Sequence, residues 1–475
     1  MAFLLGCDKK GGLMMPEFFL TPATAGEMIR KKEYSALRRI LSTVPAADIA
    51  EFMEESDTEL LPFLFRILPK ETAAEVFVDM DPDLQELLIT AFSDYELRQI
   101  LDELYLDDTV DLIEEMPANV VSRILRNSTT EARKSINELL KYPDDSAGSI
   151  MTTEYVNLKP DMTVGEAFEL IRKVAIDKET IYTCYVTSDR KLIGIVSAKA
   201  LMLAPLYTQL SEIMECNVVS VSTLTDKEEV GILFGKYGLL ALPVVDAENR
   251  MVGIITVDDA IDVIQEEAEE DFTVMAAITP SETSYLKTSV FSLFFSRIPW
   301  LMLLLISSTF SGMIISTFEA SLSACVILTA FIPMLMGTGG NCGSQASVTV
   351  IRGLSLGEIE YRDVPRVVWK EARVAVLCAI SLAVLSYIKI LVVDYWMMQS
   401  LSPTEISSVP LVVALAMAVT VIFSKLIGCS LPILAKKLGF DPAVMASPFI
   451  TTLVDTISLI VYFLIAIQMI PALQI

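Results

Sequence analysis

Five long apolar runs lie in the C-terminal part of the chain, and they constrain its fold more than any other feature. They cover residues 297–317, 321–346, 370–393, 409–433 and 443–469. A helix needs about 20 apolar residues to cross the hydrocarbon core of a bilayer, and it satisfies its own backbone hydrogen bonds there. The sequence therefore predicts an α-helical membrane domain over 291–475, with five transmembrane helices surrounded by lipid.

The charges that flank these runs predict an orientation. Basic residues follow the second and fourth runs: Arg352, Arg362, Arg366, Lys370, Arg373, Lys436 and Lys437. The connections after the first and third runs carry no basic residue, and the C-terminus is uncharged. Since cytoplasmic loops are enriched in Lys and Arg, we predict a multi-pass protein of the cell (inner or plasma) membrane. Its N-terminus lies in the cytoplasm and its C-terminus outside.

The remainder of the chain is acidic. The protein is 53% hydrophobic but carries 61 acidic and 36 basic residues, a formal charge of -25. Most carboxylates precede Asp271, so we predict a soluble acidic part followed by the membrane part. A surface of this sign repels nucleic acid and attracts cations, although solubility alone also explains a general excess of acids.

Several chemistries are disfavoured by residues that the chain lacks. Histidine, the commonest neutral metal ligand and the usual general base near neutral pH, does not occur. The seven cysteines occur singly, without a C-x-x-C pair, which is typical of free thiols in a reducing compartment. No nucleophile–base pair or phosphate-cradling motif is evident. We therefore predict neither a zinc site nor an enzyme.

The first part of the chain, 1–140, is predicted to be an all-α domain. Short apolar runs at helical spacing are broken at prolines between residues 25 and 141, which favours stacked short helices. Asp107 and Asp111 lie four residues apart on one helix face in "YLDDTVDLIEEMP". Such a pair on its own is more often a solvated face than a metal site.

An internal repeat follows. "IMTTEYVNLKPDMTVGEAFELIRK" aligns with "IMECNVVSVSTLTDKEEVGILFGK" when Met151 is placed on Met214, and Gly194 then falls close to Gly253. The copies resemble tandem cystathionine-β-synthase-type (CBS) domains, here at 141–207 and 208–263. This resemblance implies two α/β regulatory modules that can bind adenine nucleotides such as ATP.

The residues for a nucleotide are only partly present. The second copy has the implied glycine, hydroxyl and acid as Gly253, Thr256 and Asp259, whereas the first copy has Ala200 at the position of the acid. Asp259 could bind a ribose, but it could equally cap the helix that follows Thr256.

An acidic connecting helix is predicted over 258–290. In "DDAIDVIQEEAEEDF", pairs such as Asp259 with Asp262 and Glu267 with Glu270 lie three residues apart on one helix face. Like charges at this spacing destabilise a helix by roughly 0.2–0.5 kcal/mol per pair. Hard cations such as Mg²⁺ or Ca²⁺, which prefer carboxylate oxygens, would relieve that repulsion. The alternative is a solvated acidic linker.

Two features of the membrane part point to an ion pathway. Asp455 is the one ionisable residue of the last apolar run and lies near its middle, where a carboxylate is costly unless it meets water or a cation. Residues 333–353, "PMLMGTGGNCGSQASVTVIRG", are rich in glycine and neutral oxygens. This strip could line a pore with Asn341 and Gly339, or its small residues could simply pack helices together.

The order of these parts and two segments carry a family resemblance. Residues 335–359, "LMGTGGNCGSQASVTVIRGLSLGEI", and 439–463, "GFDPAVMASPFITTLVDTISLIVYF", resemble the signature segments of the MgtE-type magnesium channel/transporter family. The likeness extends over nearly the whole chain. It implies a homodimeric channel that admits Mg²⁺ through a central pore and is held closed by cytosolic Mg²⁺.

The resemblance also implies roles for individual residues. Asp455 matches the pore acid, and Ser447 and Thr451 join Gly339 and Asn341 as candidates that line the pore. The acids that match the cytosolic Mg²⁺ sensor are Asp226, Glu228, Asp259, Asp262, Glu267, Glu270 and Asp271, with Asp107 and Asp111 as looser candidates.

The chain departs from the family pattern at several positions. Ser447 stands where Asn is expected, Gly238 where a relative can carry a sensor acid, and Lys425 where a small polar residue is expected. Lys425 would oppose cation entry if it faced the pore, and otherwise it extends to the cytoplasmic interface or pairs elsewhere. Two alternatives stay open: a broader transporter of divalent cations that also passes Mn²⁺ or Co²⁺, and a nucleotide-sensing membrane regulator without flux.

Overall fold

The computed structural model describes residues 21–280, 285, 288–402, 405–445 and 447–470. The chain divides into two compact units, Met1–Val263 and Ile264–Ile475. Each unit has its own buried apolar residues.

From residue 21 onward, the described first part of the first unit is a stack of ten short helices, which confirms the predicted all-α domain. They are α1 (Pro22–Arg30), α2 (Tyr34–Leu41), α3 (Ala46–Glu54), α4 (Leu61–Ile67), α5 (Lys70–Val78), α6 (Pro82–Ala91), α7 (Asp94–Leu101), α8 (Leu106–Glu115), α9 (Ala118–Asn127) and α10 (Thr130–Leu139). Local signals set their starts: Pro69 and Pro117 directly precede α5 and α9, and Ser93 forms a capping box with Glu96 at α7.

The repeat folds into two matching α/β modules. The first contains β1 (Tyr155–Leu158), α11 (Val164–Val174), β2 (Thr180–Ser188), β3 (Lys191–Ser197) and α12 (Ala198–Leu203), and the second contains α13 (Leu210–Ile213), β4 (Val221–Ser222), α14 (Lys227–Tyr237), β5 (Ala241–Val245) and β6 (Met251–Thr256). In each sheet the first strand pairs in parallel with the second, and the second pairs antiparallel with the third.

The two copies exchange a reciprocal contact that explains the repeated Met and Gly. Residue Met151 lies against Gly253, and the Thr152 and Ile254 backbones exchange hydrogen bonds of 2.8 and 2.9 Å. In the same way Met214 lies against Gly194, where Ile195 and Glu215 exchange bonds of 3.0 and 2.9 Å. A Cβ at Gly253 would lie 2.7 Å from Met151 Sδ. Each glycine thus leaves room for the methionine that precedes the other copy.

The acidic helix is shorter than predicted. Helix α15 spans Val257–Met275 instead of 258–290, and Ala277 then takes a positive φ of 55°. The last part of the predicted segment, 281–284 and 286–287, lies outside the described residues. Acidic periodicity ends near Asp271, so the sequence offered no signal for where the helix stops. The division between the two units falls within α15.

The second unit contains five candidate membrane spans. Its remaining helices are α16 (Val290–Thr317), α17 (Glu319–Ala324), α18 (Ile332–Ser355), α19 (Val364–Lys389), α20 (Val409–Lys437) and α21 (Ser447–Met469). Five helical segments of the described chain are long and apolar enough to cross a membrane. They are Val290–Thr317, Val326–Ser355, Val364–Met397, Val409–Lys437 and Pro442–Met469.

The apolar runs gave the number of spans but not all their bounds. The second run, 321–346, is not one helix: α17 ends at Ala324, a 3₁₀ turn covers Val326–Phe331, and α18 continues to Ser355. The first and third spans begin seven and six residues earlier than predicted, and the third ends in a π-helical stretch, Ile390–Met397. A helix continues through polar residues as long as its backbone bonds are made, so an apolar run marks only its buried part.

Candidate cation sites

Three acids of α8 lie beside Asp259 at the start of α15, all within the first unit. Asp107 is buried, Asp108 is half-buried, and Asp111 reaches solvent one turn later. Asp259 acts electrostatically on all three. We call Asp107, Asp108, Asp111, Asp259 and Glu179, which is described below, the acidic cluster. The structure thus brings together Asp107, Asp111 and Asp259, which the sequence predicted as candidates in two separate segments.

The charges of the acidic cluster repel one another. Burial raises the pKa of Asp107 well above its usual range, and repulsion from Asp259 and then Glu179 adds to it. Burial followed by Asp259 also raises the pKa of Asp108 to about 6. The protein on one side of the Asp111 carboxyl, and then repulsion from Asp259, raise its pKa above the usual range, although the residue reaches solvent. A nearby cation would stabilise the ionised form of these buried, mutually repelling carboxylates.

Glu179 was missed by sequence reasoning. It lies just before β2, its Oε2 atom is buried, and that atom has no hydrogen-bond partner among the described residues. Burial, then Asp108 and then Asp259, raise the pKa of Glu179 to about 8. It precedes a strand in the first CBS copy, and no periodic or spacing signal links it to an acidic helix more than 60 residues earlier in the chain.

The other predicted sensor residues of the first unit lie in different places. Asp262 is exposed on α15 and acts electrostatically on Asp79. Asp226 caps α14, because its Oδ1 accepts a hydrogen bond of 2.9 Å from the backbone of Glu228. Gly238 ends that helix with a φ of 61°, which explains a glycine at this position in conformational terms.

The residues implied for a nucleotide have structural roles of their own. Asp259 Oδ2 accepts hydrogen bonds from Thr256 Oγ1 and, at 3.3 Å, from Thr256 N. Asp259 therefore caps the start of α15, the second of the two roles that the sequence left open. Gly253 lies directly against Met151.

In the second unit, the end of α15 faces the membrane helices. Asp271 Oδ2 accepts a hydrogen bond of 2.8 Å from Ser355 Oγ at the end of α18. Burial raises the pKa of Asp271, Ser355 opposes the shift, and Asp441 adds repulsion. Sequence reasoning did not identify Asp441 as a candidate, although it lies in the segment 439–463 that carries the family resemblance. Glu267 is half-buried and Glu270 is exposed on the same helix.

Asp455 lies eight residues into α21 and is half-buried. Its Oδ1 atom is buried and has no hydrogen-bond partner within the part of the chain that the structure describes. The nearby Thr452 hydroxyl donates instead to the Pro448 carbonyl, at 3.0 Å. An unsatisfied carboxylate oxygen in a membrane helix is costly, so this atom is a candidate ligand for a cation or its hydration water.

The glycine-rich strip of α18 has two different faces. On one face, a Cβ at Gly339 would lie 2.8 Å from Thr420 Cγ2, and one at Gly340 would lie 2.8 Å from Thr451 Cγ2. These glycines let α20 and α21 pack closely against α18. On the other face Asn341 and Gln345 are exposed. The side chain of Ser447, also predicted to line a pore, lies outside the described part of the chain.

Lys425 is paired. Its Nζ atom lies 3.9 Å from Oε2 of Glu371 on α19, and the two side chains are 6% and 14% exposed. The structure thus agrees with the second possibility weighed for Lys425, pairing within the protein. Glu371 was missed because it lies in a connection with five basic residues, among which one acid carries no signal.

Sites for a metal are not fully formed in this arrangement. In the ranges 21–280, 288–402, 405–445 and 447–470, no group of three or more Asp, Glu or Cys side chains lies close enough to hold a metal ion. The acidic cluster is a set of repelling carboxylates that would have to move together around a cation.

Matches to known families cover most of the chain. Residues 332–465 match the MgtE divalent cation transporter family, residues 44–145 match the MgtE intracellular N domain, and residues 147–207 and 210–266 match CBS domains.

Similar proteins match along nearly their whole length. The magnesium transporter MgtE of Thermus thermophilus is 35% identical over 93% of this chain and 96% of that protein. The magnesium transporter MgtE of Bacillus subtilis is 32% identical over 94% and 96%. A crystal structure of the cytosolic domain of the Mg²⁺ channel MgtE in complex with ATP is 36% identical, with a TM-score of 0.49 over 51% of this chain and 99% of that one. The relatives that span the chain are transporters and not enzymes. The chain is thus a multi-pass membrane protein that belongs to the MgtE family of magnesium transporters.

Proposed function

We propose that the protein is a Mg²⁺-selective channel for Mg²⁺ influx, with Asp455 as the acid of its pore. The observation that carries the proposal is the buried Oδ1 atom of Asp455, which lacks a partner among the described residues of an apolar helix. A single carboxylate binds a hydrated Mg²⁺ ion through its water shell, since Mg²⁺ gives up its waters reluctantly. An ion held in this way can also leave.

The path requires more than one chain. Asn341 and Gln345 are exposed polar side chains on α18, a helix within a candidate membrane span, and a second copy would cover them. We propose a homodimer in which Asp455 and these polar groups of both copies face a central pore, with Ser447 and Thr451 beside them. The N-terminus is proposed to be cytoplasmic and the C-terminus outside, following the basic loops.

Cytosolic Mg²⁺ is proposed to close the channel by binding to the acids of the cytosolic domains and the connecting helix. The repulsion within the acidic cluster supports this, because a bound divalent cation converts it into attraction. Asp271 and Asp441, which repel each other in the second unit, are a further candidate pair. Removing the cation restores the repulsion and favours an open state.

ATP is proposed as a second ligand of the CBS domains. Asp259 uses one oxygen for the Thr256 cap, and an ionised carboxylate has about four lone-pair sites, so a ribose hydroxyl could be added. Weaker ATP binding in Asp259→Asn than in Asp258→Asn, measured by titration calorimetry on the full-length protein, would support this role. Equal affinities in the two variants would contradict it.

The experiment for the main proposal is Mg²⁺ uptake into proteoliposomes by the wild type and by Asp455→Asn, with Asp394→Asn as control. Asp394 also lies in the membrane unit but is paired with Lys389 Nζ at 2.8 Å. Uptake that is lost only in Asp455→Asn supports the proposed pore acid. Uptake that survives in this variant contradicts it.

A second candidate function is a broader divalent cation transporter. The ligands offered in the membrane unit are oxygen atoms, which do not separate Mg²⁺ from Mn²⁺ or Co²⁺ by softness. Uptake of Mn²⁺ or Co²⁺ at the same rate as Mg²⁺ would favour this alternative. A protein that binds ATP and shows no flux of any cation would instead favour the nucleotide-sensing regulator.

A further inference from the structure

The membrane unit contains a buried ion pair that no part of the proposed ion path uses. Lys425 is in α20 and Glu371 is in α19, with Nζ and Oε2 3.9 Å apart. Lys425 lies twelve residues before the end of its helix at Lys437, about 18 Å along the axis. A lysine at that depth, 5% exposed as a residue, needs a partner within the protein.

The surroundings of the pair are apolar on both sides. One turn further along α20, Cys429 belongs to an apolar cluster with Val367 and Val368 of α19. One turn earlier, Val421 belongs to another cluster, which includes Cys342. In such surroundings charges act over longer distances than in water, and removing one partner leaves the other charge uncompensated.

The pair lies at the same level of the helix bundle as Asp455. A Cβ at Gly343 would lie 3.3 Å from both the Ser424 carbonyl oxygen and Val454 Cγ2. Ser424 directly precedes Lys425, and Val454 directly precedes Asp455. One glycine of α18 therefore touches the two helices beside both charged residues.

We propose that Glu371 is the counter-ion that keeps the charge of Lys425 from opposing a divalent cation at Asp455. Glu371 is thus an affinity-determining residue that acts through Lys425 and does not touch the ion. This inference rests on the proposed function, because it assumes that the cation passes Asp455.

The proposal predicts an asymmetry between the two partners. In Glu371→Gln the lysine stays as an uncompensated positive charge at the level of Asp455, so the cation binds more weakly. In Lys425→Met the positive charge itself is gone, so nothing is left at this position to repel the cation. A role in packing alone would make the two single variants equivalent.

The test is the concentration dependence of Mg²⁺ uptake into proteoliposomes, with rates divided by the amount of folded protein. Glu371→Gln is expected to raise the KM for Mg²⁺ about tenfold, whereas Lys425→Met and the double variant Glu371→Gln/Lys425→Met keep a KM close to that of the wild type. Asp394→Asn, which breaks a different ion pair of the membrane unit, is the matched control and should leave the KM unchanged.

The outcomes separate this inference from the proposed function. A wild type that carries no Mg²⁺ would contradict both. A wild type with normal uptake, together with a KM that Glu371→Gln does not move, would overturn the role of Glu371 alone. Two single variants that lose folded protein equally and keep the KM would overturn it in favour of packing.

A further pair of variants decides the question if Glu371→Gln does not fold. Glu371→Asp and the charge-swapped Glu371→Lys/Lys425→Glu both keep the two charges together. Their KM should stay within about twofold of the wild type. A KM raised about tenfold in the folded charge-swapped protein would overturn the proposal.

Discussion

The acidic cluster of the first unit and Asp455 of the second place carboxylates in opposite settings. The acidic cluster gathers five acids whose pKa values are raised by burial and then by repulsion from neighbouring acids. Asp455 stands alone in an apolar helix, and the helices around it are held by close glycine contacts. Many acids together favour a cation that stays bound, whereas one acid favours a cation that passes. The difference suggests how one chain could use the same ion both as signal and as cargo.

The largest expected effect concerns the scaffold around Asp455. Gly428 of α20 lies directly against the backbone of Gly343 in α18, so a Cβ at 428 would overlap the Gly343 carbonyl oxygen. We expect Gly428→Ala to force the two helices apart and to cost about 3 kcal/mol. The measurement is the thermal unfolding of the detergent-solubilised protein.

The glycine-rich strip of α18, which Gly428 contacts, offers the control for that prediction. Gly337 of α18 has open space where a Cβ would be placed, so Gly337→Ala should leave the free energy of unfolding unchanged or raise it by up to about 1 kcal/mol. Equal destabilisation in the two variants would show that glycine is needed in the strip for a reason other than helix packing.

A smaller effect is expected where the CBS copies exchange contacts. In Gly253→Ala the new methyl group would lie 2.7 Å from both Met151 Sδ and the Thr152 carbonyl oxygen. The methionine can move but the hydrogen-bonded backbone of Thr152 cannot, so a loss of about 2 kcal/mol is expected. Chemical denaturation of the full chain measures it.

Gly235 in α14 is the comparison for Gly253. It has open space around it in the interior of a helix, so Gly235→Ala should stabilise the protein by up to about 1 kcal/mol. Destabilisation by Gly235→Ala, or none by Gly253→Ala, would contradict the packing described for the repeat.

The smallest expected effect is the response of the acidic cluster to pH. The folded pKa values of Asp108 and Glu179 are about 6 and about 8, whereas both acids ionise near pH 4 when unfolded. The folded state therefore holds protons that the unfolded state has lost. Stability should fall as the pH rises from about 4 to about 8.

Hydrogen exchange in α8 of the full-length protein would detect this fall. Without Mg²⁺, the free energy of opening of α8 should be about 1 kcal/mol lower at pH 8 than at pH 6. This value allows for solvent screening of the partly exposed acids. Mg²⁺ should restore protection at pH 8, and α10 serves as control. Protection in α8 that does not change with pH would contradict the repulsion.

Local patterns predicted much of the architecture. Apolar length predicted five membrane spans, and the Met151 and Met214 alignment predicted two matching modules. Both predictions depend on burial, because each buried segment carries its own pattern of apolar residues. The apolar pattern did not predict the break at Cys325 or the end of α15 at Met275, because both depend on local backbone geometry.

Partners distant in the chain were harder to predict. Glu179, Asp441 and Glu371 each contribute a charge to a neighbourhood that the sequence had identified through another residue. The sequence around Glu179 predicts a strand, that around Asp441 a loop, and that around Glu371 a basic connection. Their proximity to Asp259, Asp271 and Lys425 arises only from the tertiary fold.

In the proposed mechanism one acid of the membrane unit carries the ion, and several acids of the first unit sense it. The most direct test is Mg²⁺ uptake into proteoliposomes with the cytosolic face at micromolar and then millimolar Mg²⁺, for the wild type, Asp455→Asn and Asp107→Asn/Asp111→Asn. We expect the wild type to conduct only at low cytosolic Mg²⁺, Asp455→Asn to conduct at neither, and the double variant to conduct at both. A double variant that still closes at millimolar Mg²⁺, or an Asp455→Asn protein that conducts, would contradict the account.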